Sequence, residues 1–529
     1  MDRKLRIKIL ILASVLLSLI GAGVFFFTSL NARGRNAGIN LYSLVPPNAC
    51  AVFETRELST LMKDLNYASF RKEFSSLKLS RIANDVREHF DELTASAPHG
   101  LGERLNRMLI SFHSPGSELD QVIYFCTNPG DEKWIEHQIR KYRSIDFPSK
   151  NVSYKGHQIE ILPMGGDLFL CCYKSSGFMT ASYSKKLIEQ VIDARLSGQS
   201  LLSDPLFSLS HDQKRLNGIS TLYLKMKEVG WSELDLNLGR DALYFSGISI
   251  DADTSSSFVN ALKLQVPIEH LSGKEFPEST YYINQTAISE FKYIAANASR
   301  RQYALTDYPD YIREADVNLM HFLMGNVAGS MMGLSFYAAD SVRRPLSLLA
   351  IPLKDSIKTE NELKLFLQNN SMQRKMPISP MEILYAGNKN YRFYSLPQNT
   401  LFSQLSGIAD ADFKSCAVFY KNYLLLAPKP IDIISYITQV ETFSSVAEST
   451  LYKKFGARLA PGFNYLLIAD LAELSHFSES RSRMIPDFFF SHGEFFSHFI
   501  LSVQFVCKDG VIHPSMSLAY KRGPTDWKQ

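Results

Sequence analysis

"LFLCCYKSSGFMTASYSKKLIEQVI", Leu168–Ile192, and "CAVFYKNYLLLAPKPIDIISYI", Cys416–Ile437, carry one pattern twice. Each reads as a strand, a short polar turn, a second strand ending in Ala, and a helix. In the first, "SKKLIEQVIDARL" sets Leu187, Ile188, Val191 and Leu196 on one helical stripe behind a Ser184 cap.

The echo extends in both directions. "PPNACAVFETRELSTLM" from Pro46 matches "FPESTYYINQTAISEFKYI" from Phe276, with Pro47 over Pro277, Val52 over Tyr282, Leu58 over Ile288 and Leu61 over Phe291. "MLISFHSPGSELDQVIYF" from Met108 matches "MGLSFYAADSVRRPLSLLA" from Met332, with Ser111-Phe112 over Ser335-Phe336. The helical "DEKWIEHQIRKY" and "TENELKLFLQNN" follow, and then "YKGHQIEILP" parallels "NKNYRFYSLP". After the opening pair, "LFSLSHDQKRLNGISTLYLKM" matches "LYKKFGARLAPGFNYLLIADL". Each copy is expected to close on a hairpin, "LYFSGISIDADTSSSFVNALKLQV" in one and "SHFILSVQFVCKDGVIHPSMSLAY" in the other. Shared order, rather than identity, implies one ancestral module duplicated once. Two copies are too few for a solenoid. Hairpins interspersed with covering helices predict an α+β fold: two tandem copies of a mostly antiparallel sheet with covering helices.

A chain of 529 residues exceeds a single ordinary core. Its 45% hydrophobic and 21% charged residues are globular composition. The net charge of +4 is concentrated at the start, where Arg3, Lys4, Arg6, Lys8, Arg33 and Arg35 face only Asp2. The remaining body is nearly neutral, which argues against binding a phosphate backbone, so nucleic acid is excluded as a partner.

"ILILASVLLSLIGAGVFFFTSL", Ile9–Leu30, is 22 residues without a charge. As a helix it spans about 33 Å, enough for a hydrocarbon core of about 30 Å. It is longer than a cleavable signal's apolar region and lacks an A-x-A-like site, so it predicts an uncleaved signal anchor. The basic residues before it place the N-terminus in the cytoplasm and the body outside. The expected layout is a cytoplasmic N-terminus at 1–8, a transmembrane helix at 9–30, a linker at 31–42, a first repeat domain at 43–267, a linker at 268–275, a second repeat domain at 276–522 and a tail at 523–529.

"LMHFLMGNVAGSMMGLSFYAA", Leu319–Ala339, is also uncharged and carries Gly325, Gly329 and Gly333 at small-xxx-small spacing. Its counterpart "LGERLNRMLISFH" carries Glu103, Arg104 and Arg107, which lipid excludes. A helix running into a buried strand is therefore expected.

Chemistry is sparse. There is no Gly-rich phosphate loop, G-x-S-x-G elbow or H-E-x-x-H. Six cysteines are scattered through apolar contexts that suit buried hydrophobes, although Cys50–Cys126 is a conceivable pair in an oxidising compartment. Cys171-Cys172 point to opposite faces of one strand. "FFFSHGEFFSHF" holds His492, Glu494 and His498, but a six-residue His spacing does not share one helix face. Its phenylalanines between Phe488 and Phe496 read as core or as an exposed apolar patch. Asn151, Asn284, Asn297 and Asn369 sit in N-x-S/T sequons. No catalytic, cofactor-binding or metal-ligating residue is singled out, and no cofactor is expected.

At "LVPPNACAVFETRELSTLM", and again at "SYSKKLIEQVIDARLSGQSLLSDPLF", the chain resembles a family of uncharacterised bacterial membrane-anchored envelope proteins. Its members share an N-terminal anchor, a P-x-x-A approach to the first strand and a helix-and-loop signature ending in G-x-S-L. The resemblance covers most of residues 40–525 through loose hydrophobic patterns. The second copy departs from it, with Pro428 and Pro430 at the helix start and "SSVAEST" in place of "GQSLLSD". It implies an extracytoplasmic domain of unknown function, periplasmic in a Gram-negative cell envelope. The function expected is non-enzymatic binding or scaffolding by a duplicated module, with the membrane held through residues 9–30 and an envelope protein or apolar ligand as partner. The alternatives are an envelope-polymer-acting enzyme of unrecognised type, or a carrier of an apolar ligand.

Overall fold

Tyr154 lies opposite His157 and Lys508 opposite Val511, so Lys155-Gly156 and Asp509-Gly510 each reverse the chain in two residues. All four have positive φ, the geometry whose twist matches that of the flanking strands. Turns of this kind build an antiparallel architecture from short strands. The structure, a computed structural model, describes residues 39–521 apart from 76–80, 96–105, 115–116, 129–130, 142–143, 145–146, 166, 213–217, 227–229, 251–257, 270–274, 304–308, 340–342, 375–380, 409–413, 443–458, 475–484, 486–488 and 491. The predicted anchor at 9–30 lies outside the described residues. Among the described residues no helix is long and apolar enough to cross a membrane.

The chain divides into two units, Met1–Met62 with Leu79–Ser208, and Lys63–Lys78 with Leu209–Gln529. In unit one, strand β1 (Ala51–Thr55) is followed by helices α1 (Leu58–Tyr67) and α2 (Arg81–Ala95). Then come β2 (Met108–Phe112), β3 (Gln121–Cys126), α3 (Asp131–Lys141), β4 (Lys150–Tyr154), β5 (His157–Gly165), β6 (Leu168–Ser175), β7 (Phe178–Ser182) and α4 (Lys185–Ser197). The sheet runs β4-β5-β6-β7-β3-β2-β1, every neighbour antiparallel. Helix α4 buries Leu187, Ile188, Val191, Ile192 and Ala194. Leu196, expected on that stripe, is 54% exposed, because nine residues carry it about 180° around the helix from Leu187. Ser184 is the N-cap without a side-chain bond, and Gly198 ends the helix in the left-handed region at φ 71°.

In unit two, β8 (Ser220–Met226), β9 (Gly230–Leu238) and β10 (Ala242–Ile250) form a meander, followed by α5 (Phe258–Lys263) and β11 (Ile268–Glu269). The chain continues through β12 (Thr280–Ile288), α6 (Phe291–Tyr303), α7 (Asp310–Met324), β13 (Gly329–Tyr337), β14 (Pro345–Pro352) and α8 (Ser356–Arg374). After these come β15 (Met381–Ala386), β16 (Lys389–Ser395), α9 (Leu401–Ser406), β17 (Cys416–Tyr420), β18 (Tyr423–Ala427), α10 (Pro430–Thr442), β19 (Gly462–Phe463), β20 (Tyr465–Asp470), two single-turn helices at Leu471–Leu474 and Gly493–Phe496, β21 (Phe499–Lys508) and β22 (Val511–Tyr520). The sheet order is β8-β9-β10-β22-β21-β20-β12-β13-β14-β18-β17-β16-β15, antiparallel throughout. One core lies under α5 to α9 and draws in Phe291, Leu319, Leu363 and Phe402. A second lies on the opposite face under α10, through Ile433, Tyr436 and Ile437. The class is thus α+β with a mostly antiparallel sheet.

Three expectations are corrected here. The segment from Leu243 does not close as a hairpin: β10 is followed by α5, in which Val259 and Leu262, three residues apart, are buried as a helical pair. The hairpin partner of β10 is β9, and Gly247 is obligatory there because a Cβ would lie 1.8 Å from the Glu233 carbonyl oxygen. Leu58 and Ile288 do not correspond, since α1 begins at Leu58 whereas β12 runs on to Ile288 and α6 begins at Phe291. The stretch taken as a linker at 268–275 begins with a strand, Ile268–Glu269, paired to Gly462–Phe463. Leu319–Ala339 is, as expected, a helix ending at Gly325 and then a buried strand.

Polar side chains brace the joints of unit two. Asp316 of α7 is 2% exposed and accepts from Thr400 N (2.7 Å), Thr400 Oγ1 (2.8 Å) and Gln404 Nε2 (3.3 Å), so it caps α9 from another helix. Burial raises its carboxyl pKa against those three bonds. The contribution of this group is therefore complete below the ordinary carboxylate value and falls as pH rises through the folded-state value. Replacing it with alanine strands the α9 donors, and Asp316→Ala is expected to cost about 2 kcal/mol. A lowered urea midpoint at pH 7 checks this, and an unchanged midpoint refutes it.

Candidate functional site

Ser111 and His113 stand two residues apart at the end of β2, so both point to the same side. Ser111 Oγ is 2.8 Å from His113 Nε2 and 3.0 Å from the Tyr124 hydroxyl of neighbouring β3. His113 Nδ1 is 3.0 Å from Asn48 Oδ1, and Asn48 Nδ2 reaches Gln190 Oε1 at 3.5 Å. One arrangement of protons satisfies the chain. Tyr124 donates to Ser111, Ser111 donates to Nε2, and Nδ1–H donates to the Asn48 oxygen, leaving the Asn48 amide to face Gln190. Burial lowers the His113 pKa to about 4 while Asp120 pulls it upward, so the ring is neutral at pH 7 and Nε2 is free to accept. Burial also raises the Tyr124 pKa and keeps its phenol a donor.

This relay ends at a groove of about 320 Å³. Pro46, Pro47 and Asn48 form one wall, and Gln190, Asp193, Ala194, Ser197 and Gln199 the other. The first wall is fixed locally: Val45 O accepts from Leu201 N at 2.8 Å, and Ala49 N bonds Pro46 O at 3.2 Å. The second is the C-terminal half of α4 and the turn that leaves it. Asp193 is held by Lys155 Nζ at 2.7 Å and the Tyr154 hydroxyl at 3.1 Å. The lining is neutral apart from that paired carboxylate. It offers amides and hydroxyls beside two proline rings.

Hydroxyl, imidazole and side-chain amide in line is the arrangement of a serine nucleophile, its base and an orienting group. Access decides against that chemistry. Ser111 is 0% exposed and its oxygen already bonds two partners, so no carbonyl carbon can approach it. What the relay does is fix the Asn48 amide at the groove wall.

The residues singled out in the sequence fall elsewhere. All six cysteines are free, so Cys50 and Cys126 are not paired; Cys50 Sγ instead lies 3.2 Å from Phe112 O. Burial pushes the Cys171 thiol to about 11 and those of Cys172 and Cys416 to about 12, which makes them inert at neutral pH. His498 Nε2 meets Glu73 Oε2 at 3.2 Å, and among the described residues no group of three His, Cys, Asp or Glu side chains can hold a metal ion. Phe489, Phe495 and Phe496 are core rather than surface. Of the sequons, Asn284 and Asn297 are buried, whereas Asn151 is exposed on β4. Sequence reasoning marked Ser111 only as a repeat position and passed over Asn48, His113 and Tyr124. Ser-x-His on one strand face was the available signal, but Asn48 is distant in sequence. Comparison with protein-family models, curated proteins and solved structures gives no match.

The unfolded imidazole takes up a proton near 6.5 and the folded one only near about 4. Its stabilising effect is therefore complete above 6.5 and is lost as pH falls from 6.5 towards 4. His113→Gln is expected to flatten that loss by on the order of 2 kcal/mol. Urea midpoints of both proteins at pH 7.5 and 4.5 read the difference; parallel curves refute the assignment.

Proposed function

We propose that the chain is a single-pass membrane-anchored extracytoplasmic protein whose body consists of two tandem copies of one α+β module, and that it acts by binding rather than by catalysis. The duplication is supported by equivalent strand ladders. In unit one Val52 lies opposite Ser111 and Cys171 opposite Ser182. In unit two Tyr282 lies opposite Ser335 and Cys416 opposite Ala427. The order β4-β5-β6-β7-β3-β2-β1 has its counterpart in β15-β16-β17-β18-β14-β13-β12, with helices at matching places except for α9, which lies between β16 and β17 where unit one has no helix. The meander β8-β9-β10 then answers to β20-β21-β22.

The observation that carries the functional reading is the docked segment that begins at Ile39. The Ile39 side chain covers Gly177, where a Cβ would lie 2.4 Å from Ile39 Cδ1, and Tyr42, Leu44 and Val45 are buried. The segment then supplies the Pro46-Pro47-Asn48 wall of the groove. From Leu30 to Ile39 is nine Cα steps, a reach of at most about 30 Å. An anchor at 9–30 thereby keeps the groove close to the bilayer. The ligand class this favours is a neutral, hydrogen-bonding component of the membrane-proximal envelope. A binding role is also supported by the buried hydroxyl of Ser111, which is inaccessible as a nucleophile despite its imidazole partner.

Lys155, exposed beside the groove, provides the test. In a bacterial host, Lys155→Cys in the full chain is expected to react with a membrane-impermeant maleimide once the outer membrane is permeabilised, with the protein retained in carbonate-washed membranes. Labelling only after cytoplasmic lysis, or release by carbonate, overturns the topology.

A further inference from the structure

Arg195 stands exposed in the last turn of α4, yet its guanidinium is held in place. Its Nη1 donates to the Tyr173 hydroxyl and to Ser175 Oγ at 2.6 Å, which uses both protons of that nitrogen. The group also lies 5.0 Å from the Phe178 ring centroid and 5.9 Å from that of Tyr173. Arg140 and Arg392 are paired with glutamates, whereas Arg195 has no carboxylate partner among the described residues. A cation at a helix C-terminus is favourable, but a lysine would serve that purpose as well. What the guanidinium adds is its remaining edge, Nε and Nη2 side by side, which matches two oxygens of one oxyanion.

Two further donors belong to the same cluster. Arginine can only donate, so the Tyr173 oxygen accepts from it and its own proton goes to His157 Nδ1, 3.3 Å away. The neutral imidazole then carries its proton on Nε2, which has no acceptor among the described residues. Ser175 Oγ likewise accepts from Arg195, and its own O–H has no acceptor among the described residues. Acids are held elsewhere. Strand β6 sets Tyr173 opposite Ile159 and Cys172 opposite Glu160, so alternation puts Glu160 on the other face of the sheet, where Lys174 holds it together with Glu136. Asp193, two residues before Arg195, is taken by Lys155 and Tyr154.

We infer that Arg195, Ser175 and His157 form a binding site for a phosphate group, carried by a lipid headgroup or by a soluble phosphate ester. Arg195 takes two phosphate oxygens side-on, and Ser175 and His157 donate to the acceptor sites that remain. Donors from three elements, α4, β6 and β5, suit a tetrahedral group with several oxygens better than a flat carboxylate. Two hydrogen bonds and two rings fix the guanidinium before the ligand arrives, so little side-chain entropy is lost on binding. This inference depends on neither the groove nor the anchor.

Isothermal titration of the full chain in a neutral detergent tests it, with glycerol 3-phosphate, dihexanoylphosphatidylglycerol, acetate and glycerol as probes. Both phosphate-bearing probes are expected to bind, and acetate and glycerol to bind at least about tenfold more weakly. Tighter binding of the lipid than of glycerol 3-phosphate assigns the phosphate to a headgroup; equal or weaker binding assigns it to a soluble ester. Arg195→Lys keeps the charge but loses the planar edge, and is expected to weaken phosphate binding at least about tenfold. Ser175→Ala removes one donor and is expected to weaken it several-fold, with circular dichroism showing that both variants are folded. No saturable binding of either phosphate probe at millimolar concentration overturns the inference. So does acetate binding as tightly as glycerol 3-phosphate, or phosphate binding that survives both substitutions.

Discussion

The antiparallel pairing of β10 with β22 is the constraint on which unit two rests. Ala242 lies opposite Ala519, Ser246 opposite Ser515 and Ser249 opposite Ile512, so the ladder joins strands some 270 residues apart in sequence. Without it both strands would be long bare edges, each nine or ten residues with alternate apolar side chains. With it, the meander β8-β9-β10 and the strands from β20 to β22 become one continuous sheet, and the cores on its two faces have a common floor. Such a closure is entropically late, because the loop must be formed before the ladder rewards it. The register is held by what sits beside it: Ser502 and Ser517 share a hydrogen bond of 2.8 Å across β21 and β22, and Ser232 and Ser249 one of 2.5 Å across β9 and β10.

A joint formed this way must be braced where chain segments arrive from far away, and amide side chains do that here. Asn464, fully buried, donates to the Leu262 and Gln265 carbonyls and accepts from Cys507 N. Gln265 in turn accepts from Ser289 N and Glu290 N at the start of α6. Two neutral amides thus tie the segment after α5 to β21 and to the helix that opens the next part of the chain. An amide suits the task because it supplies donors and acceptors without the desolvation cost of a charge.

Periodicity made the repeated hairpins, helix α4 and the helix-to-strand passage at Leu319–Ala339 legible, because each is decided by neighbours within a few residues. The errors have a different origin. "FVNALK" satisfies an alternating pattern and a helical one equally, and only the burial of Val259 with Leu262 separates them. Leu196 is off the stripe by angle, since nine residues carry it about 180° around the helix from Leu187. The longer β12 shifts α6 by three residues against α1, a slip that loose hydrophobic matching cannot register. Asn48, His113 and Tyr124 were illegible for a plainer reason. Their meeting depends on the order in which strands pair, and no local pattern encodes that order.

The same dependence on tertiary order explains why the relay is so specific to unit one. At the position of Val52 unit two has Tyr282, whose hydroxyl accepts from Asn284 Nδ2 at 3.2 Å, and beside Ser335 stands Ser347, 3.2 Å away. Where the relay places His113, two residues after its strand serine, unit two has Tyr337, which bonds Glu473 instead. Each unit thus has a serine within a strand, Ser111 in one and Ser335 in the other, and surrounds it with different partners. A buried hydroxyl that must be satisfied is the common requirement, and several polar neighbours meet it. Only in unit one does the chain of donors continue outward, through an imidazole kept neutral by burial, to an amide that lines open space. That continuity separates a candidate binding wall from an ordinary buried bond.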